Sequence, residues 1–436
     1  LLRTNCNLQA MRIGVTHLST SILLLIAASF HHDTHGFSTP YHTSRRQTKL
    51  IPPTTSLGVA TVLPPPPSVD ERTEDLIDTK DETNNVVRNS EPPKLGVITR
   101  MLPPEVFDID TGTSLFYFGI DLIAVLGSVG FLNAVVTSGW YHSLPFYFQA
   151  VTVAPLQILA GFAMWCMWCI GHDAGHNTVS KKKWISRLVG EIAHSACCLT
   201  PFKPWQKSHR KHHMKHNHLT DDYSHQWFIR EEKEDLHPVI KISQATRNFQ
   251  LPILYFVYLM IGVPDGGHVL FYGKMWEGAK IKEKLNHSLS VLVAVATSGF
   301  LWSKMGFADF TVVCMVPWCV MSMWLFMVTY LQHHSDDGKL YTDDTFTFMR
   351  GAFETVDRSY GKWIDRMSHH MMDGHIVHHL LFEKVPHYRL EQATKALVKG
   401  LEERDQLHLY KFIDTPDFCQ EIVKQFDENW FFINEE

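Results

Sequence analysis

AGFAMWCMWCIGHDAGH occupies residues 160–176. Residues 160–171 carry no charge, and the last five residues place His172 and His176 four positions apart with Asp173 between them. Read backwards, the apolar run extends to residue 146. A helix rising about 1.5 Å per residue crosses about 30 Å of hydrocarbon in about 20 residues, so the run 146–171 is long enough to span a membrane. An i, i+4 pair shares one helical face. The stretch therefore predicts a membrane helix that emerges carrying two imidazoles side by side. Cys166 and Cys169 lie inside the run, and no second C-x-x-C accompanies them. They read as apolar packing, with no disulfide framework.

Three more runs resemble spans: 114–138, interrupted only by Asp121 and Asn133, then 288–302 and 310–331. Residues 251–263 are apolar but short, and end at Pro264-Asp-Gly-Gly267, which reads as an interfacial piece. Short connections make the first two spans one hairpin and the last two another, so 172–285 and 332–436 share a side. That side carries Lys181, Lys182, Lys183, Arg187, Arg210 and Lys211, as the excess of positive charge on one side of a membrane protein requires. The fold class expected is an all-α integral membrane protein, with four transmembrane helices in two hairpins and a histidine-rich cap on one side.

The remaining chain fits this division. The 436 residues are 45% hydrophobic and 19% charged, with 27 histidines and a net charge of -5. That charge gives no bulk attraction for nucleic acid. Residues 1–50 read as a targeting region, with a signal peptide beginning at Met11. Its continuation carries Arg45, Arg46 and Lys49, and suits either the transit part of an algal plastid presequence or a tail after an endoplasmic-reticulum signal. Phe30 and Phe37 both stand where a cut is expected. Residues 51–100 contain four consecutive prolines from Pro64 and an acidic patch, and read as linker. Residues 101–415 are expected to form the membrane domain, and 416–436 a tail.

Two further clusters fall on the same side as His172 and His176. HRKHH holds His209, His212 and His213, and HIVHH holds His375, His378 and His379. Their i, i+3, i+4 spacing aims three rings along one helical stripe. Any one cluster alone fits a polar helix face. Eight imidazoles converging above one bundle exceed the four ligands of a zinc ion and suit two transition-metal ions. Imidazole accepts iron, copper, nickel or zinc. No Glu-x-x-His pair lies in the helices that feed the site, unlike the soluble four-helix di-iron design. All-neutral ligands leave more positive charge on the metals, which suits oxidation of an unactivated C–H bond.

HDAGH, HRKHH and HIVHH resemble the three histidine boxes of membrane fatty acid desaturases. The stretches TYLQHH (329–334), RGAFETVDR (350–358), Tyr360-Gly361 and VPHY (385–388) are similar to the methyl-end acyl-lipid group, which includes the omega-3 and Δ12 (omega-6) enzymes. The similarity runs from about residue 102 to about 401. Ala174 stands where many relatives have Cys, at a position that is not a ligand. The paired His333 and His334 resemble the omega-3 branch more than the Δ12 branch. The resemblance implies two non-haem iron ions and an O2-dependent oxidoreductase that inserts a cis double bond in a fatty acyl lipid. It also implies a bilayer, in plastid or endoplasmic reticulum, and electrons from ferredoxin or cytochrome b5. No HPGG haem motif is present, His237-Pro238 lacking the glycines, so the donor is expected to be separate. The family implies a ninth ligand, for which His333 and His369 both qualify. Asp173 is expected to orient a neighbouring imidazole. His216, His218 and His225 read as surface residues or supports of the ligands. A hydroxylase with the same boxes is the rival within the enzyme class. A histidine-rich metal transporter is the rival outside it, and would carry its ligands inside the spans.

Overall fold

The computed structural model describes residues 91–222, 267–335 and 338–415, with a few short pieces elsewhere. The targeting region, most of the linker, the stretch 251–263 apart from isolated residues, His225, His237 and most of the tail fall outside the described residues. The chain is mostly helical, in this order: α1 (Leu95–Met101), α2 (Thr111–Val136), α3 (Gly139–Ser143), α4 (Phe146–His176), α5 (Lys183–Gly190), α6 (Phe202–Lys215), α7 (Ile281–Phe310), α8 (Val316–Leu331), α9 (Phe348–Phe353), α10 (Lys362–Met367), α11 (His375–Leu381) and α12 (Leu390–Glu402). Short π-helical turns, Glu191–Cys197 and Thr311–Met315, follow α5 and precede α8. Asp357–Ser359 pairs in parallel with Phe412–Asp414. Structure begins ahead of residue 101, because α1 buries Ile98 and packs on α12.

Among the described residues, three helical stretches are long and apolar enough to cross a membrane: Thr111–Val136, Phe146–His176 and Ile281–Leu331. The last contains a break at Gly306, whose φ of 78° and ψ of 166° are not helical. Only glycine adopts that backbone without strain. The start of the run lies against α6, where Lys207 pairs with Glu283 and the Lys203 N–H donates to Ser290 Oγ at 3.2 Å. The residues just beyond its end also lie against α6, with His333 Nε2 3.3 Å from His212 Nε2.

The helix α4 is the centre of the assembly, packing on α2 and on α8. Its first half exposes Phe146, Tyr147, Phe148, Val151, Ile158 and Leu159, while residues 160–176 are buried throughout. Exposed Phe116, Ile123, Leu126 and Phe131 on α2 and Leu292, Val295 and Phe300 on α7 extend that apolar surface. Apolar surface this extensive is unfavourable in water and natural against lipid. Gly161 sets the contact with α8, since a Cβ there would fall 2.4 Å from Val320 Cβ. Small residues allow this close helix approach where no water drives packing. The helix stops after HDAGH because Asn177 takes up the left-handed conformation (φ 63°) and its N–H closes on the Ala174 and Asp173 carbonyls.

Gly161→Leu should therefore force α4 and α8 apart, an overpacking that costs about 1–3 kcal/mol. Gly119→Leu, where no atom lies within 4 Å, is the control. Thermal denaturation in detergent should show a lower Tm for the first and an unchanged Tm for the second.

Candidate metal centre

Four elements deliver histidines to one place. The last turn of α4 brings His172 and His176, α6 brings His209, His212 and His213, and α11 brings His375, His378 and His379. The turn after α8 adds His333. Buried polar groups fix the last two elements. Asp357 Oδ1 accepts the Ile376 N–H at 2.7 Å at the start of α11, and Asp357 Oδ2 accepts from Tyr410 Oη at 2.9 Å. Burial pushes the Asp357 carboxyl up to about 7, while these hydrogen bonds oppose the rise. The fully buried Arg358 donates through Nε to the Leu331 carbonyl at 2.8 Å and through a terminal nitrogen to the His334 carbonyl at 3.1 Å. It thereby satisfies carbonyls that the end of α8 leaves open, on both sides of His333.

The ring nitrogens meet closely. His209 Nε2 lies 2.8 Å from His172 Nε2 and 3.0 Å from His213 Nε2, which is 3.1 Å from His378 Nε2. His333 Nε2 lies 3.3 Å from His212 Nε2 and 3.2 Å from His375 Nε2. Three sets have ligand atoms within 4.8 Å of one another: His172, His176, His209, His213 and His378; His333, His375 and His379; and His212, His216 and His379.

Hydrogen bonding alone does not satisfy this arrangement. Each neutral imidazole nitrogen holds one proton or one lone pair. His212 Nδ1 donates to Asp222 Oδ1 at 2.8 Å, and His375 Nδ1 donates to the Met371 carbonyl at 2.9 Å. Neutral rings so placed turn Nε2 lone pairs toward His333 Nε2, which cannot give a proton to both. His209 Nε2 likewise lies between two ring nitrogens, of His172 and His213, with one proton or one lone pair for both. His176 Nε2 and both nitrogens of His379 are buried without a hydrogen-bond partner. Nitrogens at right angles around a metal about 2.1 Å away lie about 3 Å apart. The spacing of 2.8–3.3 Å is that of a metal's ligand shell, and the donor set fits transition-metal ions.

Burial keeps these rings neutral, as ligands must be. Desolvation first, and neighbouring imidazoles second, hold His209, His213, His378 and His379 well below the ordinary histidine range. Desolvation brings His375 down to about 3. His209 alone of this group is partly exposed. Trp205 stacks on His209 with ring centroids 4.5 Å apart, and Phe382 stacks on His213 at 4.6 Å.

All eight box histidines come together, with His333 among them. His369 does not join: its Nε2 lies 2.7 Å from Asp121 Oδ2, so the lone carboxylate of α2 has a buried partner. Asp173 bonds an imidazole outside the cluster, accepting from His387 N–H at 2.8 Å and His387 Nδ1 at 2.9 Å. His216 and His218 are buried, not on the surface. His216 lies against His212, His333 and His379, and its i, i+4 spacing from His212 continues the stripe of the second box to the end of α6. That spacing was the signal in the sequence that could have found it.

A small cavity opens onto the cluster. His172, His209, His212, His333 and His375 line it together with Trp165, Trp168, Leu325, Val328, Thr329 and Met371. The lining is largely apolar, as in sites that take apolar ligands. Cys169 also lines it as a buried thiol, with Cys166 buried nearby in the same helix.

A sequence model described as fatty acid desaturase matches residues 148–411. The chain is 30% identical over 370 residues to the Delta(12) fatty acid desaturase fat-2 of Caenorhabditis elegans, covering 82% of this chain and 90% of that protein. It is 32% identical to the acyl-lipid omega-3 desaturase (cytochrome b5), endoplasmic reticulum, of Arabidopsis thaliana, over 71% of this chain and 77% of the other. It is 29% identical to the sn-1 acyl-lipid omega-3 desaturase (ferredoxin) of Nostoc, over 70% and 80%.

The two candidates for a ninth ligand make opposite predictions. His333→Ala should lower the metal retained after dialysis by at least 10-fold at one site, the scale on which even supporting residues act. His369→Ala should leave metal content unchanged. Elemental analysis of the purified variants distinguishes them.

Proposed function

The chain belongs to the fatty acid desaturase family and is an oxidoreductase of that kind; from that premise we propose that it is a two-iron, methyl-end acyl desaturase acting on the omega-3 position. The observation that carries the reading is the histidine cluster lining a largely apolar cavity. His172, His176, His209, His213 and His378 would hold one iron. His212, His333, His375 and His379 would hold the other, with His333 as the ninth ligand. Two irons bound there supply O2-dependent oxidation of a C–H bond. Overall, an acyl CH2–CH2 unit loses two hydrogens, while O2 takes up these with two electrons and two protons and leaves as two waters.

The chain's own part is placement. Leu325, Val328 and Met371 offer the acyl chain an apolar groove, and Trp165 and Trp168 hold it against the histidine cluster. A preset groove turns attack on one methylene pair into a positional choice. Asp173, through His387, braces the turn bearing His172 and His176. Four transmembrane helices in two hairpins suit this work. The run Ile281–Leu331 would measure about 75 Å if straight, yet residues at its start and just past its end both touch α6, which is about 20 Å long. A reversal at Gly306 accounts for both contacts, and puts every box on one side of the bilayer with the electron donor.

Ferredoxin and cytochrome b5 both suit as donors, matching plastid and endoplasmic reticulum respectively. The omega-3 assignment rests on the His333-His334 pair and on relatives bearing that name. A Δ12 reading is favoured by the breadth of the match to the worm Δ12 enzyme.

Expression in yeast separates the two. Supplied with linoleic acid, cells should accumulate the omega-3 trienoic acid, read by gas chromatography. Linoleic acid arising from the cells' own oleic acid would assign Δ12 instead, and a hydroxylated product would refute desaturation. Val328→Trp, which fills the cavity, should lower product at least 10-fold while leaving iron content intact.

A further inference from the structure

The loop after α6 turns back on the helix it leaves. Asn217 takes a left-handed φ of 56°, and five residues later the buried Asp222 arrives beside His212 and His216. Asp222 Oδ1 accepts from His212 Nδ1 at 2.8 Å, and Oδ2 accepts the Asn217 N–H at 3.3 Å. His216 Nδ1 lies 3.6 Å from Oδ2, a close electrostatic approach. On its other side, His216 Nε2 lies 3.3 Å from His333 Nδ1.

A carboxylate only accepts hydrogen bonds. The Asp222 bond therefore puts a proton on His212 Nδ1 and leaves the His212 Nε2 lone pair for the metal. Asp222 likewise favours the His216 tautomer with its proton on Nδ1. That tautomer turns a lone pair on His216 Nε2 toward His333 Nδ1. His333 then donates from Nδ1 and presents its own lone pair through Nε2. The direction agrees with the Nε2 atoms of His212, His333 and His375 meeting at 3.2–3.3 Å.

We propose that Asp222 and His216 are positioning residues: one carboxylate sets the tautomer and orientation of His212 directly and of His333 through His216. The inference rests on the reading of the cluster as a two-metal centre. His216 is assigned here as a support and not as a ligand, although it lies in one of the three close sets. The pair acts on one of the two ions. The set of five around His209 has no contact with Asp222 among the hydrogen bonds described.

Four variants test it: Asp222→Asn, Asp222→Leu, His216→Gln and His216→Leu. Asn and Gln keep a carbonyl acceptor at about the right place, whereas the Leu variants fill space without one. The readouts are iron per chain in detergent-purified protein and the Mössbauer spectrum of 57Fe-loaded protein. Both Leu variants should lose iron affinity at one site by 10–100-fold, the usual effect of removing a ligand's hydrogen-bond partner. One of two spectral components should fade, and both conservative variants should restore it. Leu variants that keep two irons and an unchanged spectrum overturn the proposal. Loss of the same iron in His216→Gln and His216→Leu alike makes His216 a ligand and overturns it too. Should Asp222→Leu not insert as a monodisperse protein, the His216 pair decides. A wild-type chain without two irons would instead refute the reading of the centre.

Discussion

Everything in this molecule answers to the crowding of imidazole nitrogens at 2.8–3.3 Å away from water. Neutral rings cannot share protons in that pattern, and charged rings would repel. A cation among them relieves that conflict, so a bound metal would stabilise the folded cap. The rings come from α4, α6, α11 and the turn after α8, separated by up to two hundred residues of chain. Each must hold its direction before the ion arrives, because a ligand shell tolerates little error.

That requirement explains the buried polar groups around the site. Asp357 fixes the start of α11, Arg358 caps α8 on both sides of His333, and Asp173 ties the HDAGH turn to His387. Buried charge is costly unless hydrogen-bonded, and these side chains have multiple partners or a charged-group geometry that compensates. On the membrane side, small residues do the equivalent work. Gly161 lets α8 approach, and Gly171 leaves room for the His194 ring, whose carbon would fall 2.2 Å from a Cβ there. The result is a cavity lined by histidines and apolar side chains together.

Much of this could be read from the chain. Apolar length located α2, α4 and the run through α7 and α8, and i, i+3, i+4 spacing marked the eight box histidines. What spacing could not show were pairings made by chain reversal. Asp121 read as a solitary acid within a span, yet it meets His369 from 248 positions away. His216 stands i, i+4 from His212, but it caps the end of α6, and its support by Asp222 comes from the turn that follows. Arg358 closes the stretch RGAFETVDR, but nothing local announces that the carbonyls of Leu331 and His334 wait for it. The break at Gly306 was expected only as a connection, since glycine alone does not reveal a positive φ.

The central claim, that the histidine cage holds two irons through nitrogen, is most directly tested on the purified wild-type protein. X-ray absorption at the iron edge, with elemental analysis of the same sample, reads both ion and ligand type. The account predicts two irons per chain and a first shell dominated by nitrogen. A single metal per chain, zinc in place of iron, or a shell dominated by sulfur or carboxylate oxygen would contradict it.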